Sequence, residues 1–175
     1  MSAERRLLQR QLGIAWALMD HHLERLGDDD LHWAPADHHW AVRRVGDLWV
    51  PDFADVEPTP VPVPTAAWVT WHVGWWWSTA LAHLTGARVP AREDAHWPGD
   101  AASTTDWLRS LHSEWSRALA GADTMDDASA YPWPVEAGFT MGDMCAWVNV
   151  ELAKNAAELG QLLMIRAAAG DEGRP

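Results

Sequence analysis

The segment Ala67 to Gly86, A-W-V-T-W-H-V-G-W-W-W-S-T-A-L-A-H-L-T-G, constrains this chain more than any other. It holds five of the fourteen tryptophans, with a histidine among them and a small-residue gap at Gly74. Pro64-Thr65 before it and Gly86 after it are helix start and stop signals. On a 3.6-residue period Trp68, His72, Trp75, Trp76, Thr79 and His83 share one broad face. His72 therefore points where the aromatics point. A titratable, metal-competent imidazole inside a wall of indoles marks the first candidate site.

Three further segments carry the helical period. Leu8, Leu12, Ala15, Trp16, Met19, Leu23 and Leu26 form a stripe that predicts a first helix over about Ala3 to Leu26, ended by Gly27 and Asp28-Asp29-Asp30. After the tryptophan helix, S-x-x-D at Ser103 to Asp106 predicts the start of a third, which buries Leu108, Leu111, Trp115, Ala118 and Leu119 and closes at Gly121. T-x-x-D at Thr140 to Asp143 opens a fourth that runs to about Ala169, where Gly170 stops it. Its apolar row is Val148, Leu152, Leu159 and Leu162 or Leu163. Nothing between these helices reads as a sheet. The expected fold is all-α, a four-helix bundle, with residues 1–170 as one domain and 171–175 as a tail.

The first connection is unusually long. Gly27 to Thr65 contains six prolines and Trp33, Trp40 and Trp49. Its V-E-P-T-P-V-P-V-P tract is expected to be extended, because proline fixes φ and disfavours helix at the residue before it. Two roles are open: a strap pinned by its tryptophans that seals the core, or a functional loop acting as a lid.

Charge and cysteine usage exclude several classes. A formal net charge of −12 argues against sequence-independent nucleic-acid binding and against anionic membrane surfaces. The lone Cys145 rules out an intrachain disulfide and a thiolate cluster, and fits a reducing compartment. It reads either as a lowered-pKa thiol or as a small apolar residue. Met1 to Arg10 is charged and shows no signal peptide, so a cytoplasmic location is expected. Arginine outnumbers lysine twelve to one, which suggests a GC-rich bacterial gene. Hydrolase, protease, P-loop and dinucleotide motifs are absent.

W-x-x-W-H-x-G-W-W-W at Trp68 to Trp77 and N-V-E-L-A-K-N-A-A-E-L-G-Q at Asn149 to Gln161 resemble the DinB-like (YfiT-like) superfamily, over essentially the whole chain in helix order and spacing. That resemblance implies an up-down-down-up four-helix bundle, often dimeric. Many members bind a divalent metal, zinc or nickel, through three histidines, and some activate a low-molecular-weight thiol for S-transfer or isomerisation. His72 stands at the place of the first histidine. The other two places, counted back from Gly160-Gln161, hold Lys154 and Glu158. The resemblance thus leaves His72 and Glu158 as a reduced metal set, expected to be vacant, and no cofactor is expected.

Glu151, Lys154, Glu158 and Gln161 lie on one helical row. Lys154 is expected either as a fixed cation between Glu151 and Glu158 in the space of a metal, or as part of a solvated ion-pair ladder. The leading reading is a small-molecule binding protein with a pocket of Trp68, Trp71, Trp75 and Trp76, loop tryptophans above it, and polar anchors in His72, Lys154, Asn155 and Glu158. Its rival is a metal-dependent thiol transferase or isomerase using His72, Glu158 and a further ligand such as Glu151 or His112, and a third reading makes the tryptophans core and dimer interface only. Catalytic residues are not assigned. The expected partners are a small molecule and a second copy of the chain, because one bundle can hardly bury fourteen tryptophans. His21, His22, His32, His38, His39 and His96 are expected at the surface, and His83 and His112 as satisfied, partly buried residues.

Overall fold

The computed structural model describes residues 2–171. Helix α1 (Ala3–Leu23) starts at Ser2, whose hydroxyl accepts the Arg5 N–H, and is followed by the single turn α2 (Asp28–Leu31). The tryptophan segment is α3 (Ala66–Thr85), capped by Thr65 and ended by Gly86 in the left-handed region. Helices α4 (Ala101–Gly121) and α5 (Met141–Asp171) complete the bundle.

Cross-contacts fix the direction of each helix. Asn149 of α5 donates to the Leu8 carbonyl of α1 at 3.0 Å, and His22 sits on Gly160, so α1 and α5 run parallel. Asp20 holds Arg109 at 2.8 Å while Arg5 reaches the Ala120 carbonyl, so α4 runs against α1. Trp107 of α4 lies against Gly74 of α3, and further along both chains Leu111 and Ala118 share a groove with Ser78 and Thr85. Those two helices are therefore parallel, and the order is up-down-down-up. One core joins all four, with Trp71, Trp77, Trp115, Leu108, Leu152 and Leu159 among its fully buried members.

Several expected boundaries move. Regular α1 stops at Leu23, then tightens through i→i−3 bonds from Arg25 to His22 and Leu26 to Leu23, which keeps Leu26 buried. The cap of helix α4 lies three residues before Ser103: Asp100 accepts both the N–H and the hydroxyl of Ser103. Helix α5 passes through Gly170 to Asp171, and residues 172–175 of the expected tail lie outside the described residues.

The expectation of no sheet is also corrected. Strands β1 (His39–Trp40) and β4 (Val63–Pro64) pair in parallel and close the long connection at its base. Between them β2 (Val42–Val45) and β3 (Leu48–Pro51) form a hairpin with Val45 opposite Leu48. Gly46, at φ 63°, occupies the first of the two turn positions, where a two-residue hairpin turn needs positive φ. Asp52 fastens the open end, accepting from the Ala41 N–H at 2.9 Å and from the Arg43 guanidinium. The connection is a strap with its own backbone ladders.

Candidate functional site

Position 74 explains how the aromatic helix can lie so close to α4: a Cβ there would overlap the Trp107 ring. That approach turns the opposite side of α3 toward α5 and the strap. Trp68 and His72, one turn apart, stack at 4.9 Å and 12°. Trp40 from β1 stacks on the far side of Trp68 at 4.9 Å and 21°, giving a column of three rings. The Trp68 indole N–H donates to the Asp52 carbonyl at 2.7 Å, so the strap is bonded to the ring it covers.

A cleft of about 410 Å³ opens beside this column. Its strap wall includes Trp40, Phe53, Asp55 and Glu57, and its helical wall is Trp68 and His72 from α3 with Lys154, Asn155 and Glu158 from α5. His72 is partly buried, and its Nδ1 has no hydrogen-bond partner. Burial, reinforced by the nearby Lys154 ammonium, pulls its pKa down to about 4, so the imidazole is neutral at physiological pH.

The polar wall is ordered from the interior outward. The buried Trp76 N–H donates to Asn155 Oδ1 at 3.1 Å, and Asn155 Nδ2 donates to Glu158 Oε2 at 2.7 Å. Asn155 is 1% exposed, so the amide that aims the carboxylate is itself locked. Lys154 does not bridge Glu151 and Glu158 as expected. It pairs with Glu151 alone, at 2.8 Å, with its side chain 48% exposed. The i+3 carboxylate is available to it, whereas Glu158 is engaged by Asn155.

The sequence-named residues therefore divide. Trp68, His72, Lys154, Asn155 and Glu158 meet in the cleft. Trp76 stays beneath it as the donor to Asn155, and Trp75 lies to one side, stacked on Trp71 at 5.6 Å and edge-on to Phe53. Trp71 is fully buried, with its N–H on the Ala95 carbonyl. Of the loop tryptophans only Trp40 reaches the cleft, since Trp49 packs at Gly99, His32 and Trp97. Phe53, Asp55 and Glu57 were not singled out from the sequence. Their signal was the composition of the strap, an extended tract beside an aromatic helix, but no local pattern says which of its residues turn inward.

Other candidates fall elsewhere. Cys145 is wholly buried, and burial with the nearby Glu4 charge pushes its thiol up to about 12, the reverse of an activated nucleophile. His83 stacks on Tyr131 and His112 on Trp16, and His112 lies 3.3 Å from the Ser116 hydroxyl. His22 and His39 are surface expectations that fail in part: both are half-buried, His22 packed on Gly160 and His39 paired into β1. A larger groove of about 680 Å³ runs between α3 and α4, but its Ser78 and Thr85 hydroxyls are bonded to carbonyls of their own helix. Among the described residues no group of three or more His, Cys, Asp or Glu is placed to hold a metal. No helix among them is long and apolar enough to cross a membrane.

Comparison with curated proteins and with solved structures gives no match. The family model of the DinB superfamily matches residues 11–159, from the third turn of α1 to the level of Glu158 on α5, and thus spans every wall of the cleft. The chain belongs to the DinB superfamily.

Proposed function

We propose that the cleft around His72 binds a small molecule with an aromatic or apolar body, and that the site works without the three-histidine metal centre the family resemblance implies. The observation that carries this reading is the convergence of unlike groups on one cavity: a stacked aromatic column, a neutral imidazole, and a carboxylate aimed by a buried amide. Small-molecule sites combine an apolar wall with a few fixed polar groups in this way. The α3–α4 groove is larger, but its charged side chains Glu114 and Arg117 are held only by exposed bonds to their own helix.

The donors in the cleft do not fit the implied metal. Of the possible ligands lining it, His72, Asp55, Glu57 and Glu158, no three are placed to hold one ion, fewer than a structural or catalytic zinc site needs. Lys154 adds a positive charge close enough to His72 to depress its protonation. Ligand-observed NMR with a set of water-soluble aromatic fragments tests the reading. Fragments that bind the wild-type chain should be lost on Trp68→Ala and retained on Arg117→Ala, which alters only the α3–α4 groove. The reverse pattern would move the site to that groove.

A second copy of the chain is part of the same proposal, on changed grounds. No tryptophan of the fourteen is classed as exposed, so the bundle and its strap accommodate them all and they give no reason for a dimer. Support comes instead from Leu7, Ile14 and Leu18 of α1 and Val150 and Met164 of α5, exposed on two helices that pack side by side. Light scattering should give twice the 19.5 kDa chain mass, and Ile14→Glu should halve it; a wild-type monomer refutes the dimer.

A further inference from the structure

The charge of the cleft is unbalanced, and we infer that its ligand is an organic cation: an aromatic or apolar body carrying an amine or quaternary ammonium group. This inference rests on the reading of the cleft as a ligand site and assigns the chemical class that the site selects.

Besides His72, four ionisable side chains line the cavity: Asp55, Glu57, Lys154 and Glu158. The one cation among them, Lys154, is already engaged by Glu151 at 2.8 Å. Asp55 faces Arg92 at 3.7 Å but is 95% exposed, a pair that solvent screens. Glu57 and Glu158 make no ion pair among the described residues. The imidazole, neutral near pH 7, does not offset them.

Glu158 is the centre of this imbalance. The relay from Trp76 through Asn155 holds its Oε2 and leaves Oε1 without a hydrogen bond from the described residues. A neutral ligand settling here strips water from a fixed carboxylate and returns nothing to it, which is unfavourable. An anion meets the same carboxylate, with Glu57 and Asp55 at the exposed rim adding a repulsion that solvent screens. A cation replaces the lost water with an opposite charge and a charge-assisted hydrogen bond.

The apolar walls favour the same class. Trp68 is covered on both faces within its own column, so the ring surface left to the cavity is that of Trp40 and Phe53, and aromatic faces attract cations through their quadrupole. The rim already displays this preference, for the Arg92 guanidinium sits 3.9 Å from the Phe53 ring centroid.

The test is calorimetric titration of the full chain, at fixed pH 7.5 and low salt, with three probes of similar size: 2-phenylethylammonium, 2-phenylethanol and phenylacetate. The ammonium should bind about tenfold or more tighter than the alcohol, with phenylacetate weakest. Glu158→Gln should bring the ammonium to within about threefold of the alcohol and leave the alcohol unchanged. The strap double variant Asp55→Asn with Glu57→Gln, which touches no helix, should narrow the gap in the same direction. If the alcohol binds the wild type as well as the ammonium does, or if Glu158→Gln keeps the preference intact, the cation assignment is overturned while the cleft stands as a binding site. If none of the three binds, and the Trp68 indole resonance does not move with any of them, the cleft reading falls and the assignment falls with it.

Discussion

His72 is the residue whose surroundings make the sharpest claim. Its pKa is lowered in the fold by burial and then by Lys154, so between about pH 6.5 and 4 the unfolded chain binds a proton that the folded chain refuses. Stability is therefore full above pH 6.5 and is lost as pH falls through that window. His22, His32, His83 and His112 are lowered as well and contribute in the same direction, so the share of His72 is read by difference. Urea unfolding of His72→Gln should show a shallower loss between pH 6.5 and 4 than the wild type. In Lys154→Met the His72 titration, followed by NMR, should rise yet stay below 6.5, because burial is the larger cause. Lys154 itself is half-exposed, so Lys154→Ala should cost under about 1 kcal/mol by urea melts. The row Glu151, Lys154, Glu158 was legible from the sequence as a helical ladder. Which carboxylate Lys154 takes was not, because that choice depends on Asn155, an amide whose own partner comes from Trp76 on another helix. Cys145, left open between a reactive and an inert thiol, is settled by burial; Ellman's reagent at pH 8 should label it only when the chain unfolds.

At the scale of elements, the aromatic helix is legible almost to the residue, since Thr65 and Gly86 are the cap and stop that the sequence marks. The gap at Gly74 is visible in the sequence as well, and the structure supplies its reason in the Trp107 ring. Gly74→Ala should destabilise by about 1–3 kcal/mol or more, and pairing it with Trp107→Leu should recover part of that loss, a coupling that a double-mutant cycle measures. Helix α4 shows where local pattern misleads. Ser103 and Asp106 fit a capping box, but Asp100 lies three residues earlier and takes both donors of Ser103. Asp100→Ala should cost about 1 kcal/mol and Ser103→Ala less. The hairpin was missed for a different reason. V-R-R-V-G-D-L-W-V-P carries a glycine-led turn between two short β-prone runs, yet prolines dominate the region's composition. A two-residue turn is a stronger local signal than the proline content around it.

For the molecule as a whole, the helices supply one wall of the cleft and the strap the other. The parallel pair His39–Trp40 with Val63–Pro64 closes the strap, Asp52 fastens its hairpin, and the Trp68 N–H holds it to α3. The α5 wall was legible because its polar residues recur at helical spacing. The strap wall was not, because extended, proline-rich chain carries no period that sorts inward from outward residues. The same strap explains how one chain houses all its tryptophans: Trp40 and Trp49 find partners on Trp68 and Trp97 within the monomer. The central claim is that this composite cleft receives an aromatic small molecule, and the indole N–H resonances test it most directly. On titration with 2-phenylethylammonium, the Trp40 and Trp68 signals should shift together and saturate on one binding curve, with Trp107 and Trp115 unmoved. Saturating shifts confined to indoles away from the strap, or none at millimolar probe, would contradict the account.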